Sequence, residues 1–348
     1  MIFSSVKDKN HNFPSRLYSN QFFYSFSKVG TFALNGKIGP DGGNAISKSK
    51  VIAMKKSFSE MLERRSLMSG SYKTNNKKIK AVNLVNSEIV DVYERYIMFN
   101  DDKDFYTDTT GTATHLNSKT AIFNSLKELI EKNSLLLFWY GRKGMVIDYQ
   151  EVKSLLKVKF TINSNQRLYL FINDNFFPFL TIISVLVENK KIIGSGISCD
   201  IDLERAIKSS IYELILLKEQ NRINYYCKNL YNLPNVSVLE TNQEQYFHLE
   251  YLLNILPEIN LQFYLERQTN VTQDVFKLIK LLPSWIKTLY CIYIKHNLNN
   301  QLKTVRIYSE ELFSHIPIKA FISEKKKIFI VHELNQRDIE KTPECPII

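Results

Sequence analysis

Three predicted helices carry glutamates, and in two of them the glutamates form pairs three residues apart. Glu128 and Glu131 lie in the segment GTATHLNSKTAIFNSLKELIEKNSLLLFWY. Glu60 and Glu63 have the same interval in the upstream segment KKSFSEMLERRS, and Glu213 lies in the downstream segment LERAIKSSIYELILLKE. Hard divalent cations bind several oxygen atoms from separate elements. The fold of this chain must therefore either expose these glutamates to water or gather them around cations.

The first two helices place their glutamates opposite an apolar stripe. Ser47 or Ser49 can cap the first helix, which runs to about Met68, and Asn117 or Ser118 can cap the second. At 3.6 residues per turn the buried stripes contain Met54, Phe58, Met61 and Leu62 in the first helix, and Ile122, Leu126, Leu129 and Ile130 in the second. Periodicity alone predicts that the paired glutamates face solvent, where Lys127 and Lys132 could pair with those of the second helix.

The third helix, predicted over residues 206–217, is apolar on nearly every side. Glu213 is the only charged residue between Lys208 and Lys218. A helix that is apolar all round is normally buried, and a buried carboxylate requires a cation, a metal ion or a proton. This helix favours a functional role for its glutamate over a solvated one.

The rest of the chain predicts sheets. Strands are expected at 21–26, in a hairpin within 81–99, and in four segments within 157–198, the last of which leaves its strand at Gly194–Gly196 to enter the third helix. Helical patterns follow at 244–253 and 273–282. After Pro283, the segments LYCIYIKHN, LKTVRIY and KKIFIVHEL predict strands that fold back onto the same sheet.

Composition limits the other classes of function. The net charge is +11 over 348 residues, and the lysines are scattered, which indicates a solvated surface and no nucleic-acid partner. The four cysteines form no CxxC motif and the histidines have no ligand spacing, so neither structural zinc nor a disulfide framework is expected. The longest apolar stretch, residues 176–187, is interrupted by Pro178 and is too short for a bilayer, which predicts no membrane partner and a cytoplasmic location.

Three motifs, in this order, resemble one enzyme family. They are SEMLERR at 59–65, AIFNSLKELIEKNSLLLFWY at 121–140 and GSGISCDIDLERAIKSSIYEL at 194–214. They are similar to the ExxER helix, the ExxE helix with its aromatic patch, and the glycine turn with its AxxxxxxE helix of the YcaO family, ATP-dependent enzymes that modify peptide backbones. The resemblance is strongest over residues 40–220 and to the stand-alone cyclodehydratase (D) subunits of microcin-type thiazole/oxazole synthetases.

The resemblance implies an α+β, YcaO-like fold, with mixed and antiparallel sheets and three carboxylate-bearing helices around an ATP and Mg2+ cleft. It implies a single domain over residues 1–348, with C-terminal strands and a proline-containing tail at 286–348. The metal ligands it implies are Glu60, Glu63, Glu128, Glu131 and Glu213. Arg64 and Lys132 join them as residues that bind the nucleotide.

Several positions depart from the family pattern. Lys132 replaces an arginine and so loses bidentate geometry, Thr120 replaces an acidic residue, and Lys56 replaces a small one. The tail KTPECPII is a partial match to a PxPxP-like catalytic tail, which assigns catalytic roles to Pro343, Pro346 and Ile348. Two prolines favour an extended tail that reaches into the cleft.

The function implied is ATP-dependent formation of thiazoline and oxazoline rings from Cys, Ser or Thr of a ribosomally made precursor peptide. The expected partners are that peptide, a separate leader-peptide-binding (E1-like) protein and a flavin-dependent dehydrogenase. Two alternatives are open: an enzyme that forms thioamides, and a nucleotide-binding scaffold subunit without catalytic activity, which the changes at Thr120 and Lys132 would suit.

Overall fold

A computed structural model describes residues 12–14, 21–28, 33–34, 37–38, 42–68, 77–102, 105–156, 164–189, 191–230, 252, 258–259, 261–268, 272, 274–295 and 301–347. Within them the helices are α1 (Lys50–Met68), α2 (Ser118–Trp139), α3 (Tyr149–Leu156), α4 (Leu203–Leu230), α5 (Gln262–Gln268), α6 (Val275–Ile279), α7 (Lys327–Val331) and α8 (Gln336–Lys341). Short 3-10 helices lie at Glu94–Tyr96 and Lys319–Phe321.

The strands, in chain order, are β1 (Asn12–Pro14), β2 (Gln21–Lys28), β3 (Ala33–Leu34), β4 (Lys37–Ile38), β5 (Gly42–Ser47), β6 (Lys78–Asn83), β7 (Ile89–Tyr93), β8 (Asn100–Asp102), β9 (Phe105–Thr107), β10 (Thr112–His115), β11 (Met145–Ile147), β12 (Gln166–Asn173), β13 (Leu180–Glu188), β14 (Lys191–Asp200), β15 (Glu258–Ile259), β16 (Tyr290–Ile294) and β17 (Lys303–Tyr308).

The described residues include three larger sheets, one of three strands and two of five. Their strand orders are β1-β2-β5, β10-β17-β16-β6-β7 and β14-β13-β12-β11-β15. Every pairing in them is antiparallel except that of β11 with β15. The predicted α+β class with mixed and antiparallel sheets is confirmed. β16 and β17 return to a sheet built earlier in the chain, since β16 pairs with β6 and β17 with β10, but this sheet contains the hairpin within 81–99 and not the strands within 157–198.

An edge strand precedes each of the three glutamate-bearing helices. In each large sheet one end of the strand order is β5, β10 or β14, and the chain passes from these strands into α1, α2 and α4. Each helix packs on the strand before it, and α1, α2 and α4 also contact β10, β14 and β5, respectively. The three strand–helix units thus contact one another in a closed cycle.

The third sheet is covered on both faces, which explains the continuous apolar sequence of β13. Ile183 and Val185 pack into the core that contains α2, whereas Ile182 and Leu186 pack into the core that contains α4. Successive side chains of a strand point to opposite faces, and a sheet buried on both sides needs apolar residues at every position. This packing fixes α2 and α4 on opposite faces of one sheet.

Most of the predicted elements are confirmed, with boundaries that differ. α1 and α2 lie where the caps and stripes predicted them, and Asn117 accepts a hydrogen bond from the Thr120 N–H. α4 is longer than predicted. The hairpin within 81–99 is confirmed, but its second strand ends at Tyr93 and a 3-10 turn follows. The helical pattern at 273–282 corresponds to the shorter α6.

Two predictions were wrong. The Gly194–Gly196 segment does not end its strand, since β14 continues to Asp200. The segment KKIFIVHEL forms α7 and not a strand: its neighbours Ile328 and Phe329 are both buried, while Ile330 is 60% exposed, a pattern that a strand with alternating faces does not give. Short apolar runs of this kind fit either element. The strand predicted at 157–162 and most of the helix predicted at 244–253 lie outside the described residues.

Among the helices that the structure describes, none combines the length and apolar character needed to cross a membrane.

Candidate functional site

Five glutamates from α1, α2 and α4 each accept a hydrogen bond from a backbone N–H of an edge strand. The donors are Asn44 for Glu60 (2.6 Å), Thr114 for Glu63 (2.6 Å), Thr112 for Glu128 (3.1 Å), Cys199 for Glu131 (3.1 Å) and Ile197 for Glu213 (2.9 Å). An edge strand leaves a row of N–H groups without strand partners. Here the glutamate carboxylates accept hydrogen bonds from five of these groups. We call these five side chains the carboxylate ring.

Four members of the ring form two pairs, each on one strand. The N–H donors to Glu63 and Glu128 lie two residues apart on β10, and those to Glu131 and Glu213 lie two residues apart on β14. Amides two apart in a strand point the same way and are separated by about 7 Å. We refer to these as the β10 pair and the β14 pair. Glu60 stands alone on β5.

Each ring glutamate is half-buried, contrary to the exposed positions that helical periodicity predicted for four of them. Burial raises the pKa of Glu128 to about 8 and that of Glu213 to about 7. Burial, and next the nearby charge of Glu128, raise the pKa of Glu63 well above its ordinary value. Without an added cation, the ring is therefore an unfavourable concentration of negative charge.

Two basic residues offset part of this charge. Arg64 lies 2.7 Å from Glu60 and donates to the Gly42 carbonyl at 2.9 Å. The Lys132 ammonium lies 2.8 Å from the Oε1 atom of Glu131. The structure thus brings together all seven residues that the sequence predicted to bind the nucleotide or the metal.

The ring fits Mg2+ bound together with phosphate. Glu63, Glu128 and Glu213 each use one oxygen on a backbone N–H, and their second oxygen has no hydrogen-bond partner among the described residues. In that part of the chain, no three His, Cys, Asp or Glu side chains already converge on one metal position. Mg2+ is commonly held by one or two carboxylates with phosphate and water completing its shell, so a carboxylate pair is a suitable donor set.

A repeat underlies the ring, and inspection of the glutamate spacing alone missed it. The pattern G-x5-[SND]-x3-A-x3-S-x2-E begins at Gly43, Gly111 and Gly196 and ends at Glu60, Glu128 and Glu213. Each time, the residue after the glycine donates its N–H to the glutamate that ends the pattern. The three strand–helix units are therefore versions of one local design.

Each position of the repeat has a physical role. The capping residues Ser49, Asn117 and Asp202 each accept the N–H three residues later. The Ala and Ser positions are fully buried in all three units. A Cβ atom at Gly43 or Gly196 would lie 2.2 Å from a carbonyl oxygen of the following helix, so only glycine lets helix and strand approach this closely. Gly111 has φ of +77° instead.

The position three residues after the repeat links one unit to the next. It is Glu63 in the first unit, which reaches β10, and Glu131 in the second, which reaches β14. The third unit has Leu216 there. The ring consequently has five carboxylates where the repeat offers six places.

Comparison with protein families gives one model match. The model described as YcaO cyclodehydratase, ATP- and Mg2+-binding, matches residues 63–282, which is more than half of the chain. The chain belongs to the YcaO family. A comparison with curated proteins gives no match. Family membership confirms the expected cofactors, ATP and Mg2+, and the expected class of enzyme, an ATP-dependent peptide heterocyclase.

Solved YcaO and heterocyclase structures share the fold. YcaO from Methanopyrus kandleri bound with AMPPCP and Mg2+ matches with a TM-score of 0.65 and 12% identity, over 90% of this chain and 88% of that one. A chain of the E. coli microcin synthetase McbBCD complex with pro-MccB17 bound matches with a TM-score of 0.59 and 17% identity, over 97% and 100%. A heterocyclase in complex with substrate and cofactor has a TM-score of 0.65 and 11% identity, over 96% and 53%.

The C-terminal tail of this YcaO chain packs against the end of α2. Trp139 donates its indole N–H to the Pro343 carbonyl at 2.8 Å, and the Tyr140 hydroxyl donates to Glu344 at 3.1 Å. Glu344 also accepts the Lys319 N–H at 2.9 Å. Trp139 follows Glu131 by eight residues, so about 12 Å of one helix separates the tail contacts from the ring.

The tail residues predicted as catalytic are therefore not brought to the ring by the described contacts. Pro343 and Pro346 are half-buried, Cys345 and Ile347 are buried, and Ile348 lies outside the described residues. Their catalytic role remains a prediction. The same rigid helix nevertheless carries Glu128, Glu131 and the tail contacts.

Asp108 and Arg306 form a second layer beside the ring that the sequence analysis did not single out. Arg306 is fully buried on β17 and donates to the Asp108 carbonyl at 2.5 Å and to the Ser314 carbonyl at 3.3 Å. Burial lowers the pKa of Arg306 to about 10, and the charge of Asp108 contributes to the raised pKa of Glu128. The sequence signal that could have identified Arg306 is a charged residue within the predicted strand segment LKTVRIY.

Proposed function

We propose that this YcaO protein is an ATP-dependent cyclodehydratase that forms thiazoline and oxazoline rings from Cys, Ser or Thr of a ribosomally made precursor peptide. The observation that carries the proposal is the carboxylate ring, in which three half-buried glutamates each keep one oxygen that has no hydrogen-bond partner among the described residues. Half-buried carboxylates with raised pKa values and too few cations are suited to receiving Mg2+ together with a nucleotide.

Within this proposal the ring glutamates have defined roles. The β10 pair, the β14 pair and Glu60 would supply the ligands of Mg2+. Arg64 and Lys132 supply positive charge for phosphate oxygens, Arg64 with a fork of donors and Lys132 as a point charge. The backbone N–H bonds to β5, β10 and β14 fix the orientation of each carboxylate, which limits reorganisation when the metal arrives.

The chemistry needs this arrangement. In the substrate, a Cys thiol or a Ser or Thr hydroxyl attacks the preceding amide carbonyl, which leaves an oxygen that departs poorly. ATP with Mg2+, when bound, supplies the phosphoryl group that turns this oxygen into a phosphate leaving group. The glutamates orient the nucleotide, and Pro343, Pro346 and Ile348 are proposed to assist ring closure from the tail.

Partners follow from the same proposal. The matched E. coli structure is a synthetase complex of several proteins with a pro-peptide bound, which supports a peptide substrate and partner proteins for this chain. We propose a leader-peptide-binding (E1-like) protein that presents the substrate, and a flavin-dependent dehydrogenase that oxidises azolines to azoles.

ADP release and peptide mass together test the proposal. The purified chain is incubated with ATP, Mg2+, a precursor peptide and the presenting partner. Cyclodehydration predicts peptide-stimulated ADP release and loss of one water mass for each ring. Replacement of oxygen by sulfur, seen only when sulfide is added, would identify a thioamide-forming enzyme instead. Nucleotide binding with neither ADP release nor a mass change would identify a silent scaffold subunit.

A further inference from the structure

The two carboxylate pairs differ in the cation that each already has. In the β14 pair, the Lys132 ammonium lies 2.8 Å from Glu131, and both side chains are largely buried, with 12% and 15% exposed. The charge of Lys132 also acts on Glu213, the other member of that pair. The β10 pair has no ion-pair contact to a basic side chain among the described residues, although the charge of Lys132 also acts on Glu128 and that of Arg64 acts on Glu63.

Lys132 places a cation that is part of the chain itself beside the β14 pair. Its ammonium is a compact point charge with three donors, carried on a flexible four-carbon stem. An ammonium and a divalent cation repel each other when both lie at one carboxylate of a partly buried site. A metal ion that enters the β14 pair must therefore displace Lys132 from Glu131, whereas the β10 pair has no such contact to break.

We propose that Lys132 keeps divalent cations out of the β14 pair until nucleotide binds. Without nucleotide, the ring takes one divalent cation at the β10 pair, because Lys132 occupies the β14 pair. Phosphate oxygens of the nucleotide then draw the Lys132 ammonium away from Glu131 and open the β14 pair for a second cation. This inference rests on the proposed role of the ring glutamates as metal ligands.

One consequence is thermodynamic coupling between nucleotide and metal. If the nucleotide raises the affinity of the second metal site, the second metal must raise the affinity of the nucleotide by the same factor. Couplings of this kind are typically 5- to 150-fold, and we expect an effect of about that size. The chain would then bind the metal–nucleotide complex as a unit in preference to its parts.

Binding of Mn2+, followed by the paramagnetic resonance of the free ion, tests this without catalysis. The wild-type chain should bind one Mn2+ alone and a second only with a non-hydrolysable ATP analogue. Lys132→Met should bind two without the analogue, and Lys132→Arg, which keeps the charge, should behave like the wild type. Lys127→Met is the matched control, because Lys127 lies on the same helix but pairs with Asp200 at 2.6 Å; it should bind one.

Further results separate the inference from the proposed function. In the Lys132→Met background, Glu131→Gln should remove the second Mn2+, which places it at the β14 pair. The inference about Lys132 is wrong if the wild type binds two Mn2+ without nucleotide. It is also wrong if Lys132→Met binds only one while its circular dichroism matches that of the wild type. In both cases the metal role of the ring glutamates is unaffected. If the wild type binds no Mn2+ with or without the analogue, both are wrong.

Discussion

Replacing Glu128 by Gln should stabilise the protein at alkaline pH while removing its nucleotide affinity. Burial raises the pKa of Glu128 from its ordinary 4.5 to about 8. The folded state therefore holds this proton more tightly than the unfolded state does. The stability that the raised pKa confers is complete below pH 4.5 and is lost as pH rises to about 8.

The size of the effect follows from the same interval. From 4.5 to about 8, at 1.36 kcal/mol per pH unit, the ionised carboxylate would cost about 5 kcal/mol in the folded state. Water reaches this half-buried side chain and screens the charge, so we expect roughly half of that. Gln keeps an acceptor for the Thr112 N–H but adds donors that must be solvated, at about 1 kcal/mol. The net gain at pH 8.5 should be about 1 to 2 kcal/mol.

Urea unfolding at pH 5.5 and pH 8.5, with a chelator and without nucleotide, measures this gain. We expect Glu128→Gln to be more stable than the wild type at pH 8.5 and no more stable at pH 5.5. Glu151→Gln is the matched control, since Glu151 is a helical glutamate that accepts the Leu261 N–H at 2.8 Å outside the ring, and its replacement should not reproduce the gain of Glu128→Gln at pH 8.5.

Two results would refute the reasoning. An equal or lower stability of Glu128→Gln at pH 8.5 would show that the charge of Glu128 does not destabilise the ligand-free protein. Unchanged Mg2+-dependent nucleotide affinity, measured by calorimetry, would show that Glu128 is not a ligand, because loss of a ligand charge should weaken binding far more than the roughly 0.5 kcal/mol typical of a surface change.

Three further outcomes are expected. Gly43→Ala and Gly196→Ala should each lower the free energy of unfolding by about 2 kcal/mol or more, since the new Cβ would lie 2.2 Å from a helix carbonyl, while Gly194→Ala, whose nearest atom is 3.4 Å away, should cost less in the same urea titration. Deletion of residues 342–348 should sharply reduce peptide cyclisation but leave ATP affinity nearly unchanged, and a truncated chain that cyclises at the full-length rate would contradict the tail's role. The isolated chain should release ADP slowly with precursor peptide and much faster with its presenting partner; equal rates would remove that dependence.

Local features of the sequence determined where the first two helices begin and which glutamates the three helices carry. Caps such as Asn117 act within three residues of the helix start, and apolar stripes recur within a few turns, so both can be recognised in the sequence alone. The repeat G-x5-[SND]-x3-A-x3-S-x2-E was also present in the sequence. Because it joins a strand to a helix, the spacing of glutamates within one helix did not reveal it.

Contacts between distant segments decided which way the glutamates face. A helical wheel places Glu63 and Glu131 opposite their own apolar stripe and predicts solvent there, but Glu63 meets the Thr114 N–H 51 residues away, and Glu131 meets the Cys199 N–H 68 residues away. The same limit applies to KKIFIVHEL, an apolar run too short for its periodicity to choose between a strand and a helix. Periodicity records the faces of one element, whereas burial depends on which other elements cover those faces, and only the tertiary structure supplies the edge strands whose unpaired N–H groups draw the carboxylates inward.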